Sequence, residues 1–153
     1  MYIIIHIYKM ETQNEKFIYA CRPGHIEVAR LLIATVLQHS PDNLMPMISS
    51  DDYMSLRLAC LNGHLTIAQL FIATVLQHSP KHLMPMISSE NYLSLRWACD
   101  NGHLEVARLL LSTVSHHSPD NLMPMISSDD YLSLRWACLN GHLDVVQFLC
   151  NYI

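Results

Sequence analysis

A chain of 153 residues is long enough to bury one real core and short for two domains. Half of its residues are apolar and 14% are charged, which excludes a disordered or polyelectrolyte chain. A net charge of -4 with no Lys/Arg run argues against nucleic acid or an anionic membrane as partner.

The first segment, "MYIIIHIYKM", carries an apolar run over residues 2–8 that is far too short to span a bilayer. It lacks the basic start and small-residue cleavage site of a signal peptide. Residues 1–9 are read as an extension, either strand-like or lying ahead of a true start at Met10.

From there the chain repeats itself. Gly24, Gly63, Gly102 and Gly141 are 39 residues apart, and Pro41, Pro80 and Pro119 keep that spacing. A fixed period in this range marks a solenoid. The expected units are about 10–48, 49–87, 88–126 and 127–153.

Each unit opens on "SSDDY" or a variant, where Ser and Asp are N-cap candidates for a first helix. In "YLSLRWACLN" the apolar residues Leu132, Leu134, Trp136, Ala137 and Cys138 continue it, and Asn140-Gly141 stops it. A second helix follows, with Leu65, Ile67, Ala68, Phe71, Ile72 and Val75 at helical spacing. Ser-Pro then opens about one further turn, after which "MISS" is expected to run extended into the next unit.

One such unit cannot bury its own apolar face, so neighbours must stack. The first copy, "NEKFIYACRPGH", reads as an N-terminal cap. The last, "VVQFLCNYI", stays apolar and leaves an open stacking face. That face suits self-association, or a fragment of a longer array.

A cysteine and a histidine stand four apart in every unit: Cys21 and His25, Cys60 and His64, Cys99 and His103, Cys138 and His142. Zinc ligands on a helix use that spacing, but here a glycine breaks the helix between them. Packed helices stand about 8–10 Å apart against zinc bonds of about 2.0–2.3 Å, so a neighbour does not readily complete the set. No metal and no other cofactor is expected. The odd number of cysteines, set in apolar helical pattern, reads as small core residues in a reducing compartment.

"LRWACLNGHLDVVQFL" and "LRWACDNGHLEVARLLL" resemble the ankyrin repeat, T-P-L-H-L-A-A-x-x-G-H-L-E-V-V-x-L-L-L, over nearly the whole chain. The R-W-A-C-x-N-G-H wording is similar to divergent arrays of large DNA viruses and of microbes that live inside protists. The resemblance implies an all-α helical solenoid of four helix-turn-helix repeats. It places each cysteine at the family's second small core residue, and Gly-His in the inter-helix turn. Here Thr-Pro is replaced by Met54-Ser55, Leu93-Ser94 and Leu132-Ser133, and the motif His by Arg57, Arg96 and Arg135. The 39-residue period exceeds the usual 33 and the Gly-Ala-Asp-Val-Asn loop is missing, so "SPDNLMPMISS" is expected in place of a β-hairpin.

The resemblance also implies a non-catalytic module that binds a protein on its concave face, in the cytoplasm or, for a virus or intracellular microbe, in its host's. Partner contacts are implied at Asp51, Glu90 and Asp129; at Tyr53, Tyr92 and Tyr131; at Leu61, Asp100 and Leu139; and at Asn62, Asn101 and Asn140. The tyrosines read equally well as packed on the connector. The alternative function is a structural spacer with no partner of its own. Arg57, Arg96 and Arg135 are expected to donate to connector carbonyls or to an acid such as Asp52 or Asp130. Trp97 and Trp136 are assigned to the core, and the Met-Pro-Met segments at Met45, Met84 and Met123 to connector packing. His39, His78 and His117 suit the C-terminal turn of the second helix. No phosphate loop, nucleophile elbow or H-E-x-x-H motif offers a catalytic start, so no enzyme is expected.

Overall fold

Apolar residues three and four apart wind into helices that bury them. The computed structural model describes residues 12–153, and the reading of residues 1–9 lies outside them. The first unit holds α1 (Gln13–Cys21), α2 (Ile26–His39) and the short α3 (Leu44–Ile48). Next come α4 (Ser50–Leu61) and α5 (Leu65–His78), then α6 (Leu83–Asp100) and α7 (Leu104–His117). The last pair is α8 (Leu122–Leu139) and α9 (Leu143–Cys150). Among the described residues there is no strand, and the architecture is an all-α solenoid.

First helices stack as one layer, α1 on α4 on α6 on α8, and second helices as another, α2, α5, α7 and α9. The core lies between and along them. Leu95, Ala98 and Cys99 of α6 are fully buried, as are Val106, Ala107, Leu110 and Val114 of α7. Thr12 closes a capping box with Glu15 at the start of α1.

The glycine stop works as its spacing predicts. Gly63 sits at φ +70°, His64 N–H donates to the Ala59 carbonyl at 2.8 Å, and Gly63 N–H to the Cys60 carbonyl at 3.4 Å. This pair of bonds is the Schellman closure, and it recurs at Gly24, Gly102 and Gly141. Absence of a side chain has a second use. A Cβ on Gly24, Gly63 or Gly102 would stand 2.7, 2.6 or 2.5 Å from the histidine ring of the following unit. That ring lies flat against the glycine and bonds the carbonyl two residues before it: His64 to Arg22 (3.0 Å), His103 to Leu61 (3.0 Å) and His142 to Asp100 (2.9 Å).

Two expectations for the connector are corrected. "MISS" does not run extended: Met47, Ile48, Met86 and Ile87 continue a helix and are buried. Pro46 and Pro85 sit in its first turn, where the missing N–H has no partner to lose. Nor do Ser and Asp of "SSDDY" cap the first helix. Asp51, Asp52 and Tyr53 instead form a left-handed turn with φ of 50°, 53° and 59°, and no side-chain cap bond is made. Glu90, Asn91 and Tyr92 repeat it, as do Asp129, Asp130 and Tyr131. Such a conformation costs about 1–2 kcal/mol per residue, least for Asp and Asn. Buried arginines hold it by bonding its carbonyls: Arg57 to Asp51 at 2.7 Å, and Arg96 to Glu90 at 2.8 Å and to Asn91.

Gly102→Ala forces both a left-handed alanine and a clash with His142, whereas Gly141→Ala carries only the first. Urea unfolding is expected to show a loss of roughly 3 kcal/mol for the former and about 1 kcal/mol for the latter. Asp52→Gly, at an exposed position of positive φ, is expected to stabilise by up to about 1 kcal/mol in the same assay, where glycine inside a helix costs about that much.

Candidate functional site

The recurring cysteine and histidine turn away from any shared ligand. Cys21, Cys60 and Cys99 are fully buried between first helices, while the histidines reach back to the preceding unit. Burial pushes each of these three thiols up to about 12, opposed at Cys21 by the Ser55 hydroxyl and at Cys60 by that of Ser94. All five cysteines are free, and Cys138 is exposed, unlike its equivalents. The expectation of a core position fails there because no further unit covers it. Among the described residues, no three His, Cys, Asp or Glu side chains converge as metal ligands would. His39 bonds the Thr35 carbonyl at 3.0 Å through Nδ1, as a helix-terminal histidine does.

Arg57 and Arg96 donate to connector carbonyls as expected, and the row's acids are Asp129 and Asp130. Arg96 pairs at 2.7 Å with Asp129 of the following unit, whose other oxygen accepts from Asn91. Asp52 is not an arginine partner among the described residues. In its place the Asp52 carbonyl accepts from Ser89. Arg135, exposed, stands 3.7 Å from Asp130 as expected.

The twelve residues assigned to partner contact fall into two rows at opposite ends of the first helices. Asp51, Glu90, Asp129, Tyr53, Tyr92 and Tyr131 lie in the left-handed turns. The three tyrosines are half-buried against the core, and the Tyr53 hydroxyl meets His82 Nδ1 at 3.0 Å. Leu61, Asp100, Leu139, Asn62, Asn101 and Asn140 end the helices. Asn62 and Asn101 are exposed and bond their own helices, whereas Asn140 bridges to Asp100.

Between the rows runs a stripe of Leu58, Trp97 and Trp136, 39 residues apart, of which the sequence reading placed the two tryptophans in the core. All three are half-buried, and among the described residues none belongs to the hydrophobic core cluster. The signal was present. Leu95, Ala98 and Cys99 define the buried stripe of α6, and Trp97 lies about 200° around the helix from Leu95, on the side of Asn101.

Residues 56–153 match the family model of ankyrin repeats, in three copies. This chain belongs to the ankyrin-repeat family. An X-ray structure of an ankyrin repeat family protein from Legionella pneumophila superposes with a TM-score of 0.72 at 29% identity, over 93% of this chain. This ankyrin chain spans 37% of the length of that protein. No curated protein matches its sequence. Ankyrin repeats are generally protein–protein interaction modules, and the family is generally non-enzymatic. Among the described residues, no helix is long and apolar enough to cross a membrane.

A thiol reagent near pH 8 is expected to modify Cys138 and Cys150 quickly and Cys21, Cys60 and Cys99 only on unfolding. The buried thiols keep their protons to about 12, while in the unfolded chain they ionise near the ordinary value of 9.0. Their stabilising effect is therefore complete below pH 9 and lost as pH rises from there toward 12. Two fast equivalents per folded chain, and alkaline unfolding that starts above pH 9, are the readouts.

Proposed function

We propose that this ankyrin chain is a non-catalytic, cytoplasmic protein-binding module whose contact surface is the concave side formed by its first helices. The observation that carries this reading is the half-exposed stripe of Leu58, Trp97 and Trp136 outside the core. Tryptophan loses little conformational freedom on binding and offers a large apolar area, which is why it is enriched in interface hot spots. Asn62, Asn101 and Asn140, with Leu61, Asp100 and Leu139, supply the polar and apolar flank on one side. The turn residues Asp51, Glu90 and Asp129, with Tyr53, Tyr92 and Tyr131, form the other edge. Asp129 is engaged by Arg96, so its role there is to shape the edge more than to reach a partner. Five free thiols fit a reducing compartment.

Capture from a lysate is expected with the wild type and to fall at least tenfold with Trp97→Ser/Trp136→Ser, at unchanged circular dichroism. Gln69→Ser/Gln77→Ser on the second-helix layer is the matched control and is expected to capture as the wild type does. Equal capture by the tryptophan variant would remove the stripe from the interface.

A further inference from the structure

The stripe on the first helices is wider than its tryptophans. Met54, Leu93 and Leu132 stand four residues before Leu58, Trp97 and Trp136, and residues four apart share a helix face. All six are half-buried, and among the described residues none belongs to the hydrophobic core cluster. Each of α4, α6 and α8 therefore presents one apolar pair, and stacked helices repeat such a pair about every 8–10 Å.

Two polar features accompany the stripe. The indole N–H groups of Trp97 and Trp136 make no hydrogen bond among the described residues. The edge next to Met54 and Leu93 is acidic and only partly neutralised. Arg96 pairs with Asp129 and Arg135 with Asp130. Asp51, Asp52 and Glu90, exposed in the left-handed turns, enter no ion pair among the described residues. Arg57, beside them in sequence, is buried on the Asp51 carbonyl.

We propose that the stripe binds a polyproline II segment with a proline at every third residue and Lys or Arg along one ridge. The proposal rests on the reading of the stripe as the contact surface. A polyproline II helix has about three residues per turn and rises about 3.1 Å per residue, so its prolines recur on one ridge about every 9 Å. That step matches the stacking distance of the units. In an extended strand, side chains on one face repeat about every 6.7 Å and fall out of step with it. An α-helix comes closer, since residues two turns apart stand about 10.5 Å along its axis. Its carbonyls are bound within the helix, whereas those of polyproline II have no internal partner and accept from an indole N–H. Aromatic-lined grooves take such segments because the preformed chain has little conformational freedom left to lose. The basic ridge of the ligand lies along the carboxylates of Asp51, Asp52 and Glu90, which fixes its rotation about its own axis.

A labelled synthetic peptide of Pro-Pro-Lys triplets is the probe, read by fluorescence anisotropy. Saturable binding to the wild type is expected, weakened roughly tenfold or more in Trp97→Ser/Trp136→Ser at unchanged helicity. Trp97→Phe/Trp136→Phe keeps the apolar area but loses the N–H donors, and is expected to bind a few-fold more weakly. Asp51→Asn/Glu90→Gln is expected to weaken binding and to flatten its dependence on salt. A peptide of Gly-Ser-Lys triplets has the same charge without the preformed helix and is expected to bind at least about tenfold more weakly. No saturable binding of the Pro-Pro-Lys peptide overturns the proposal. Equal binding of the Gly-Ser-Lys peptide does so too, as does tighter binding of an equally charged helical peptide with leucines two turns apart. If the tryptophan variant loses lysate capture while the Pro-Pro-Lys peptide neither binds nor competes, the stripe remains the contact surface and the polyproline II ligand alone is rejected.

Discussion

Everything in this array depends on a histidine ring lying against a bare glycine of the unit before it. The glycine is required twice, once because the chain passes through positive φ as the first helix closes, and once because the ring occupies the space of a side chain. The same ring supplies a donor to a carbonyl at the end of that helix, where the helix's own N–H groups have run out. Closure of one unit and docking of the next are thus a single event. A helix pair with one apolar side becomes stable only when that event recurs, and this is the physical content of a solenoid.

The connector meets a different demand. It must carry the chain from the end of one second helix to the start of the next first helix without a β-hairpin. Proline at the first position of the 3-10 turn and again in the first turn of the following helix keeps the segment helical at little cost, and Met47, Ile48, Met86 and Ile87 bury its inner side. The reversal is then made by three left-handed residues. Their strain is opposed by a buried arginine that gathers the freed carbonyls, and in α6 by a carboxylate brought from the following unit. Arginine in place of the family's motif histidine suits this turn: it has several donors in a fixed fork, where a neutral imidazole offers one.

Position in the stack decides what each repeated residue is. Arg57 and Arg96 are buried while Arg135 is exposed, and Cys99 is inaccessible while Cys138 is open. The local sequences are nearly the same, and only the presence of a following unit differs. The tryptophans run the other way. They are apolar, sit on the first helices, and are half-exposed at both positions, because their direction on the helix points away from the buried stripe.

Period, the helix pair of each unit and the glycine stops were legible in the residues, because each follows from local chemistry: apolar spacing, a proline that opens a turn, a glycine that ends a helix. The reading of Cys-x-x-x-His as a structural turn was legible too, since a broken helix cannot present both side chains on one face. The handedness of the "DDY" turn was not. Ser and Asp favour caps in isolation, and only the arginine six residues on and the acid of the next unit make the left-handed path the better one. Nor did the apolar character of Trp97 reveal its exposure, which its angle from Leu95 and the position of the flanking units decide together. Sequence alone determined the units and their helices. Tertiary structure decided which identical letters are covered, because burial belongs to the pair of repeats and not to the single one.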